Sequence, residues 1–250
     1  MNTTSPTRVV VVTGAGTGIG RATARAFAGQ GAAVVAVGRR PEPLRETADG
    51  HPLIHPLPLD VTAEGAPEEI VRAVLTGHGR LDVLVNNAGI AAGGPLGTLD
   101  RTTLAPLLET NLLAPVLLTQ AAVPALRESR GVVVNVTTAI GQRGWPGSSV
   151  YPATKSALET LTRCWALDLA PDGVRVVAVA PGAIETPIGE HMGLSPERLR
   201  AVREWQLAHT PLRRLGRPEE VAWAITALAA PEAAYLTGTV LPVDGGALVT

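Results

Sequence analysis

The chain alternates short apolar runs with longer segments of helical periodicity. The runs are rich in valine and hydrophobic at every position, which is typical of strands buried on both faces of a parallel sheet. They cover residues 9–12, 33–37, 83–85, 132–136, 174–179 and 240–243. A further, weaker strand is predicted at 53–59, where prolines interrupt the pattern.

The segments between these runs predict helices, several with proline near the start or glycine just past the end. They cover residues 19–29, 68–75, 103–126, 151–169 and 218–229. Length alone permits one domain or two, but no linker or shift of composition divides residues 1–250, so one α/β domain is favoured. Residues 184–215 break the alternation after a strand, where a substrate lid belongs.

Composition excludes several function classes. Hydrophobic residues make up 46% of the chain and charged residues 17%, which predicts a folded core rather than disorder. A formal net charge of −1 gives no general attraction to nucleic acid or to an anionic membrane. No apolar stretch approaches the length of a membrane span.

Cysteine and histidine usage predicts neither disulfides nor a metal site. Cys164 is the single cysteine, and prolines directly after His51 and His55 prevent the helix that would bring both rings to one face. The chain starts with a polar segment that lacks the features of a signal peptide. We therefore expect a cytoplasmic protein.

A glycine-rich loop follows the first predicted strand directly and opens a helix. Glycines let a backbone approach a pyrophosphate, whose charge then faces the free N–H groups of the helix. Taken alone, such a loop also occurs as a simple packing turn. The candidate phosphate-binding residues are Gly14, Thr17, Gly18, Ile19 and Gly20.

The spacing GxxxGxG resembles that of the short-chain dehydrogenase/reductase family, and the resemblance extends over essentially the whole chain. Matching pieces occur in family order: TGAGTGIG at 13–20, DV at 60–61, NNAG at 86–89, Asn111, VNVTT at 134–138, YPATK at 151–155, PG at 181–182 with Thr186, RPEEVA at 217–222 and VDGG at 243–246. The resemblance implies a single-domain, Rossmann-type, doubly wound parallel sheet of about seven strands with helices on both faces.

The end of the second strand indicates which nicotinamide cofactor is bound. A carboxylate there normally accepts hydrogen bonds from the adenosine ribose, but this chain has Gly38 at that position. Arg39 and Arg40 follow, and a guanidinium is suited to bidentate contact with a 2′-phosphate. NADP(H) is therefore preferred, while NAD(H) remains possible.

Tyr151 and Lys155 lie four residues apart at the start of a predicted helix, so their side chains emerge on one face. A free tyrosine titrates near pH ~10, and a nearby ammonium together with a positive nicotinamide favours the phenolate. The tyrosine then serves as an acid and a base. An isolated YxxxK is more often a packing tyrosine with a surface lysine. Because the glycine-rich loop is also present in this chain, the catalytic interpretation is favoured here.

The resemblance assigns the remaining roles. Lys155 would bind the nicotinamide ribose, and Asn111 would hold a water that links this lysine to solvent. The family's substrate-orienting serine is replaced by Thr138, which keeps the hydroxyl and adds a methyl group. Further cofactor contacts are implied for Asp60, Val61, Asn87, Ala88, Gly89, Pro181, Gly182, Ile184 and Thr186.

Substrate identity stays open at the level of sequence. Apolar surface is offered by Ile140, Trp145, Ile184, Met192 and Trp205, with Gln142, Glu185 and His191 as polar candidates. A small carbonyl or alcohol substrate fits, and family analogy predicts a homotetramer. Besides a ketoreductase or an NAD(H)-dependent alcohol dehydrogenase, two alternatives remain: an epimerase or dehydratase on the same fold, and a non-catalytic cofactor-binding regulator.

Overall fold

The computed structural model describes residues 8–142, 149–191 and 195–249, and it contains one sheet of seven parallel strands. The strands are β1 (Val9–Thr13), β2 (Ala33–Gly38), β3 (Ile54–Pro58), β4 (Val83–Asn86), β5 (Val132–Val136), β6 (Arg175–Pro181) and β7 (Val240–Val243). Their order is β3-β2-β1-β4-β5-β6-β7. The order reverses between β1 and β4, which is where such sheets bind ligands at the carboxyl ends of the strands.

Helices cover both faces of the sheet. The principal ones are α1 (Gly18–Gly29), α2 (Pro41–Ala48), α3 (Ala66–His78), α4 (Arg101–Leu108), α5 (Ala114–Ser129), α6 (Val150–Leu169), α7 (Ile188–His191), α8 (Pro196–Ala208) and α9 (Pro218–Ala229). Buried residues of α1, α2 and α9 form one core with Val10 and Val12, and those of α3, α5 and α6 form a second core with Val9 and Val11. This arrangement confirms the predicted doubly wound fold.

The proline-interrupted strand β3 lies at an edge of the sheet, where it pairs with β2. Proline has no N–H to donate to a second neighbour, so an edge is the position that accepts Pro56 and Pro58. The weak strand signal therefore located β3 correctly.

The helix predicted as one unit over 103–126 is instead two α-helices joined by a π-helical turn at Glu109–Leu113. Pro115 has no N–H, so it cannot bond the carbonyl of Asn111 four residues earlier. In the wider turn, Ala114 N–H donates to the carbonyl of Glu109. The expectation of an uninterrupted α-helix was wrong at this turn, which carries Asn111.

The segment 184–215 contains no strand in its described part, as predicted, but it does carry α7 and α8. Ser195 caps α8 by accepting a hydrogen bond from the N–H of Arg198, and Pro196 occupies the first helical position. The two ends of the segment are joined, because the N–H of Gly216 donates to Ala183 and the N–H of Glu185 donates to Gly216, both at 2.9 Å.

Candidate active site

The glycine-rich loop connects β1 to the N-terminus of α1. A Cβ on Gly20 would collide with the carbonyl oxygen of Gly14, so the loop folds this tightly only with glycine there. Thr17, at the N-cap, makes no side-chain cap hydrogen bond, and the first turn of α1 has no acidic residue. The first N–H groups of α1 thus remain suited to an anion such as a pyrophosphate.

Asn87 and Ala88 tie the end of β4 to this loop. The backbone N–H groups of both residues donate to Oγ1 of Thr13 at 3.0 Å, and Nδ2 of Asn87 donates to the carbonyl of Thr13 at 2.7 Å. Asn87 therefore shapes the loop at the reversal between β1 and β4. The contact of Asn87 with the cofactor ribose stays a prediction, because the hydrogen bonds of Asn87 account only for its role in shaping the loop.

Arg21 and Thr47 fix the outer side of the same loop. Nη2 of Arg21 donates to the carbonyl of Gly16 at 2.6 Å and pairs with Glu46 of α2 at 2.7 Å. Oγ1 of Thr47 donates to the carbonyl of Ala15 at 2.9 Å. Arg21 of α1 and Thr47 of α2 each donate to a carbonyl group of the loop, so the position of the loop depends on α2. Sequence reasoning missed this clamp.

The adenosine end predicted from sequence lies where β2 and β3 end. Arg39 and Arg40 are exposed directly after β2, and Arg40 is the N-cap of α2. Asp60 follows β3, and its Oδ1 accepts hydrogen bonds from the backbone N–H and the hydroxyl of Thr62. Val61 packs partly buried against the core.

Tyr151 and Thr138 meet at the carboxyl end of β5. Oγ1 of Thr138 donates a hydrogen bond to the carbonyl oxygen of Pro181 at 3.4 Å. Burial raises the pKa of Tyr151, and the neighbouring hydroxyl of Thr138 opposes that rise. Sequence reasoning assigned the opposing effect to the ammonium of Lys155.

Lys155 is buried one turn below Tyr151. Its Nζ donates to the carbonyl of Val136 at 2.9 Å, and burial lowers its pKa to about 8. Lys155 is also the only lysine in the chain, because the other 20 basic residues are arginines. This composition is a signal that the sequence reasoning did not use.

Asn111 reaches from the π-helical turn to the loop after β4. Its amide forms a pair of hydrogen bonds with the backbone of Ile90, both at 2.9 Å, and its Nδ2 also donates to Oγ1 of Thr154 at 3.2 Å. A Cβ on Gly89 would lie 3.2 Å from Nζ of Lys155 and 3.3 Å from Oδ1 of Asn111. Gly89, Asn111 and Lys155 therefore surround one small space.

A small cleft, partly open to solvent, has Ala139 and Ile140, which directly follow Thr138, in its wall. It is lined by Ala139, Ile140, Gly182, Ala183, Trp205, Gln206, His209, Thr210, Ala247 and Leu248. Ile140 and Trp205 were candidates from the sequence, whereas the other residues of α8 and the C-terminal segment were not. That segment is held by Asp244, whose carboxylate accepts the N–H groups of Gly246 and Leu248 at 2.9 Å.

The remaining candidates lie around the cleft or beyond it. Gln142 is exposed and Glu185 pairs with Arg203 of α8 at 3.2 Å, and neither lines the cleft. Ile184 packs against the core, and Thr186 lies against the glycine-rich loop, 3.0 Å from where a Cβ of Gly18 would be. The backbone of His191 ends α7, while Trp145 and Met192 lie outside the described residues.

The described residues contain neither a metal-binding cluster nor a membrane-spanning helix. No group of three or more His, Cys, Asp or Glu side chains is placed to hold a metal ion in this part of the chain. None of the helices in the described ranges is both long and apolar enough to cross a bilayer.

Comparison with known proteins decides the family. A family model described as enoyl-(acyl carrier protein) reductase matches residues 14–247. The 3-oxoacyl-[acyl-carrier-protein] reductase of Thermotoga maritima is 40% identical over 97% of this chain and 98% of its own. This chain is a short-chain dehydrogenase/reductase. It is an oxidoreductase that acts on CH–OH or C=O groups with a nicotinamide cofactor.

Other members of the family are similarly close to this short-chain dehydrogenase/reductase. The L-fucose dehydrogenase of Oryctolagus cuniculus is 43% identical over 96% of this chain and 84% of its own. The crystal structure of a 3-ketoacyl-(acyl-carrier-protein) reductase from Brucella melitensis, complexed with NADH, superimposes with a TM-score of 0.88 at 30% identity. That alignment covers 98% of this chain and all of the other.

The residues present fit a nicotinamide dinucleotide. The anion-ready N-terminus of α1 and the loop around Gly14 form one part of the cradle, and the space bounded by Gly89, Asn111 and Lys155, which a Cβ would fill, forms the other. Both parts lie at the carboxyl ends of the strands, next to the reversal of strand order.

Proposed function

We propose that this enzyme is an NADP(H)-dependent oxidoreductase that reduces a ketone or oxidises a secondary alcohol, with Tyr151 as the general acid and base. The observation that carries the proposal is the placement of the Thr138 hydroxyl beside Tyr151, one helical turn from the buried Lys155 and next to the cleft that Ala139 and Ile140 line. The nicotinamide, when bound, supplies or accepts the hydride.

Tyr151 moves the proton in this proposal. In reduction, its hydroxyl donates a hydrogen bond to the substrate oxygen and then transfers its proton as that oxygen becomes an alkoxide. Thr138 donates a second hydrogen bond to the same oxygen and stabilises the developing negative charge. Oxidation runs the same steps in reverse, and Tyr151 then removes the proton of the alcohol.

Lys155 is proposed to set the proton affinity of Tyr151 and to hold the nicotinamide ribose. Burial lowers its pKa to about 8, so the amine exchanges protons near working pH. When Lys155 is protonated, its charge favours the phenolate of Tyr151. Asn111 is proposed to continue the proton path from this lysine to solvent, since the two side chains border the same space.

Preference for NADP(H) rests on the corner after β2. Arg39 and Arg40 are both exposed there, and Gly38 supplies no carboxylate to repel a 2′-phosphate. The three heavy atoms nearest to a Cβ on Gly38 all belong to the side chain of Leu44, the closest at 3.4 Å, so the fold accepts a Cβ at this position. The absence of a carboxylate there supports a preference for NADP(H).

The lid and the assembly are also proposals. Residues 184–215 are proposed as a substrate lid because α8 forms one wall of the cleft. A homotetramer is supported by exposed apolar side chains in the two segments that family analogy packs together between subunits, 103–126 and 151–169, namely Leu108, Leu113, Leu117 and Leu167. The single cysteine favours a reducing compartment, and we propose the cytoplasm.

Two experiments on the purified enzyme test this function. Titration with NADPH and with NADH, followed by cofactor fluorescence, is expected to give much tighter binding of NADPH. Tyr151→Phe is expected to lower kcat for ketone reduction by ~100-fold or more while NADPH binding persists. Substantial turnover by Tyr151→Phe contradicts the role of Tyr151, and net consumption of NADPH distinguishes a reductase from an epimerase.

A further inference from the structure

A stripe of polar side chains follows one side of α6. Tyr151, Lys155, Glu159 and Thr162 are spaced by four, four and three residues, so they lie one above the other along the helix. Lys155, Glu159 and Thr162 are all buried. A buried polar side chain is costly unless it is hydrogen-bonded, so the partners of this stripe indicate what each member does.

Two members of the stripe bind consecutive residues of β5. Nδ2 of Asn135 donates to Oγ1 of Thr162, and Nζ of Lys155 donates to the carbonyl of Val136, both at 2.9 Å. Asn135 also accepts a hydrogen bond from Nδ2 of Asn86 on β4 at 2.9 Å, so its bond with Thr162 belongs to a wider network inside the fold. These bonds fix α6 against the carboxyl end of β5.

The third bond joins Glu159 to Thr137, the residue directly before Thr138. Oγ1 of Thr137 donates to Oε1 of Glu159 at 3.1 Å, and the same hydroxyl oxygen lies 3.2 Å from the carbonyl oxygen of Val179 on β6. The backbone N–H of Thr137 donates to that carbonyl as well, at 2.8 Å. The backbone that leads into Thr138 is therefore held by α6 on one side and by β6 on the other.

Packing alone does not account for Glu159. The residue is only 6% exposed, and none of the ion pairs formed within the described ranges includes it. Its hydrogen bond in this part of the chain is the one with Thr137. A leucine would bury the same face of α6 without the cost of removing a carboxyl group from water. The bond to Thr137 therefore identifies the task of this side chain.

We infer that Glu159 is a positioning residue for the reaction: through Thr137, it sets the placement of the Thr138 hydroxyl relative to the phenol of Tyr151. The inference rests on the proposed function, in which these two groups meet the substrate oxygen. Tyr151 lies about two turns before Glu159 on α6, and Thr138 directly follows Thr137, so one bond connects the helix of the acid to the chain of the second donor. A misplacement of ~1 Å in such a pair can lower a rate ~100-fold.

The first test measures kcat and the KM for NADPH with one ketone that the parent reduces. Glu159→Leu removes the acceptor and is expected to lower kcat about tenfold, with an unchanged KM for NADPH. Glu159→Gln keeps an oxygen that accepts from Thr137 and is expected to keep kcat within a few-fold. Asp168→Asn is the control, because Asp168 is exposed on the same helix. Full activity of Glu159→Leu, or an equal loss in Glu159→Gln, overturns the inference.

Thr137→Val removes the same bond from its other end, and it keeps the inference testable if Glu159→Leu does not fold. It is expected to lower kcat as much as Glu159→Leu does. The double variant is expected to be no less active than either single variant, because all three lack one and the same bond. An unchanged kcat in Thr137→Val, or losses that multiply in the double variant, contradict a shared role.

An NMR measurement separates this inference from the proposed function. The chain has two tyrosines, Tyr151 and Tyr235, so labelling the ring carbon that bears the hydroxyl with ¹³C gives two resonances. Glu159→Leu and Thr137→Val are expected to move the Tyr151 resonance in the direction in which Thr138→Ala moves it, whereas Glu159→Gln leaves it in place. If the parent converts no ketone or alcohol, or if Tyr151→Phe retains turnover, the proposed function is contradicted. This resonance then decides the inference, and it is overturned if neither variant moves the signal.

Discussion

The hydroxyl of Thr138, just after β5, lies beside the phenol of Tyr151 on α6 and opposes the rise that burial causes in the pKa of that tyrosine. Thr138 also donates a hydrogen bond to the carbonyl of Pro181, which ends β6, at 3.4 Å. Thr138 therefore connects the ends of β5 and β6 beside the start of α6. We propose that its hydroxyl takes the role of the family's serine there.

Removing the hydroxyl of Thr138 tests that contact. Thr138→Ala is expected to lower kcat by about 10- to 100-fold, because one donor to the developing oxyanion is lost. Thr138→Ser keeps the donor and is expected to retain kcat within a few-fold, with changes confined to KM. Steady-state measurement of kcat and KM for both variants, with the same ketone, tests this expectation. Equal activity of Thr138→Ala and the parent contradicts the role of Thr138 as a hydrogen-bond donor to the substrate oxygen.

Lys155 makes the stability of the cofactor-free enzyme depend on pH. Its folded pKa of about 8 is below the ordinary value of 10.5, so the unfolded chain binds more protons between these values. Stability is therefore expected to fall as pH decreases from about 10.5 to about 8 and to stay reduced below that. The difference of about 2.5 pH units corresponds to roughly 3 kcal/mol.

Lys155→Met is the variant that checks this effect. It is expected to lose activity, yet to be at least as stable as the parent at pH 7 and to lose the pH dependence between 8 and 10. Urea unfolding of the parent and the variant at several pH values measures both the stability at pH 7 and its pH dependence. Because Lys155 is the only lysine, reductive ¹³C-methylation labels it and the N-terminal amine alone, and NMR titration then reports its pKa directly. A pKa near 10.5 contradicts the account.

Cofactor choice is expected to change at the end of β2. Gly38→Asp introduces a carboxylate at the end of β2, where a Cβ makes ordinary contact with Leu44, and it should weaken NADPH binding while strengthening NADH binding. Arg39→Ala combined with Arg40→Ala should weaken NADPH about tenfold or more and leave NADH nearly unaffected. Fluorescence titration with each cofactor gives the ratio, and an unchanged ratio in both variants contradicts preference for a 2′-phosphate.

Arg21 is expected to position the glycine-rich loop rather than to touch the substrate. Arg21→Gln removes the hydrogen bond to Gly16 and the ion pair with Glu46, so the bond from Thr47 to Ala15 is left to connect the loop with α2. We expect the KM for NADPH to rise about tenfold, with kcat changed much less. Arg45→Gln is the control, because Arg45 pairs with the exposed Glu42 on its own helix. A fall in kcat with an unchanged KM contradicts a positioning role.

Much of the fold followed from sequence because five of its seven strands, all but β3 and β7, are buried on both faces. A continuous valine run such as 132–136 is compatible with few structures besides a central strand, and even the proline-broken strand β3 was located. The π-helical turn at Glu109–Leu113 was not predicted, because periodicity averages over several turns and does not register one wider turn. The feature of the sequence that indicates this wider turn is Pro115, four residues after Asn111.

The candidate site was predictable where residues are close in sequence and much less so where they are not. The spacing of Tyr151 and Lys155 placed them one turn apart, as the structure has them. Gln206, His209 and Leu248 line the cleft only because α8 and the C-terminal segment fold back beside Ile140, a tertiary contact that periodicity does not encode. Glu185, a candidate polar contact, pairs instead with Arg203 of α8.

Isotope transfer tests the central claim most directly. The enzyme is incubated with a ketone that it reduces and with NADPH that carries deuterium at both positions of C4 of the nicotinamide, and the product alcohol is analysed by mass spectrometry. The account predicts one deuterium on the carbinol carbon with the parent enzyme, and little or no product with Tyr151→Phe. Product without deuterium, or equal yields from the two enzymes, would contradict hydride transfer with Tyr151 as the proton donor.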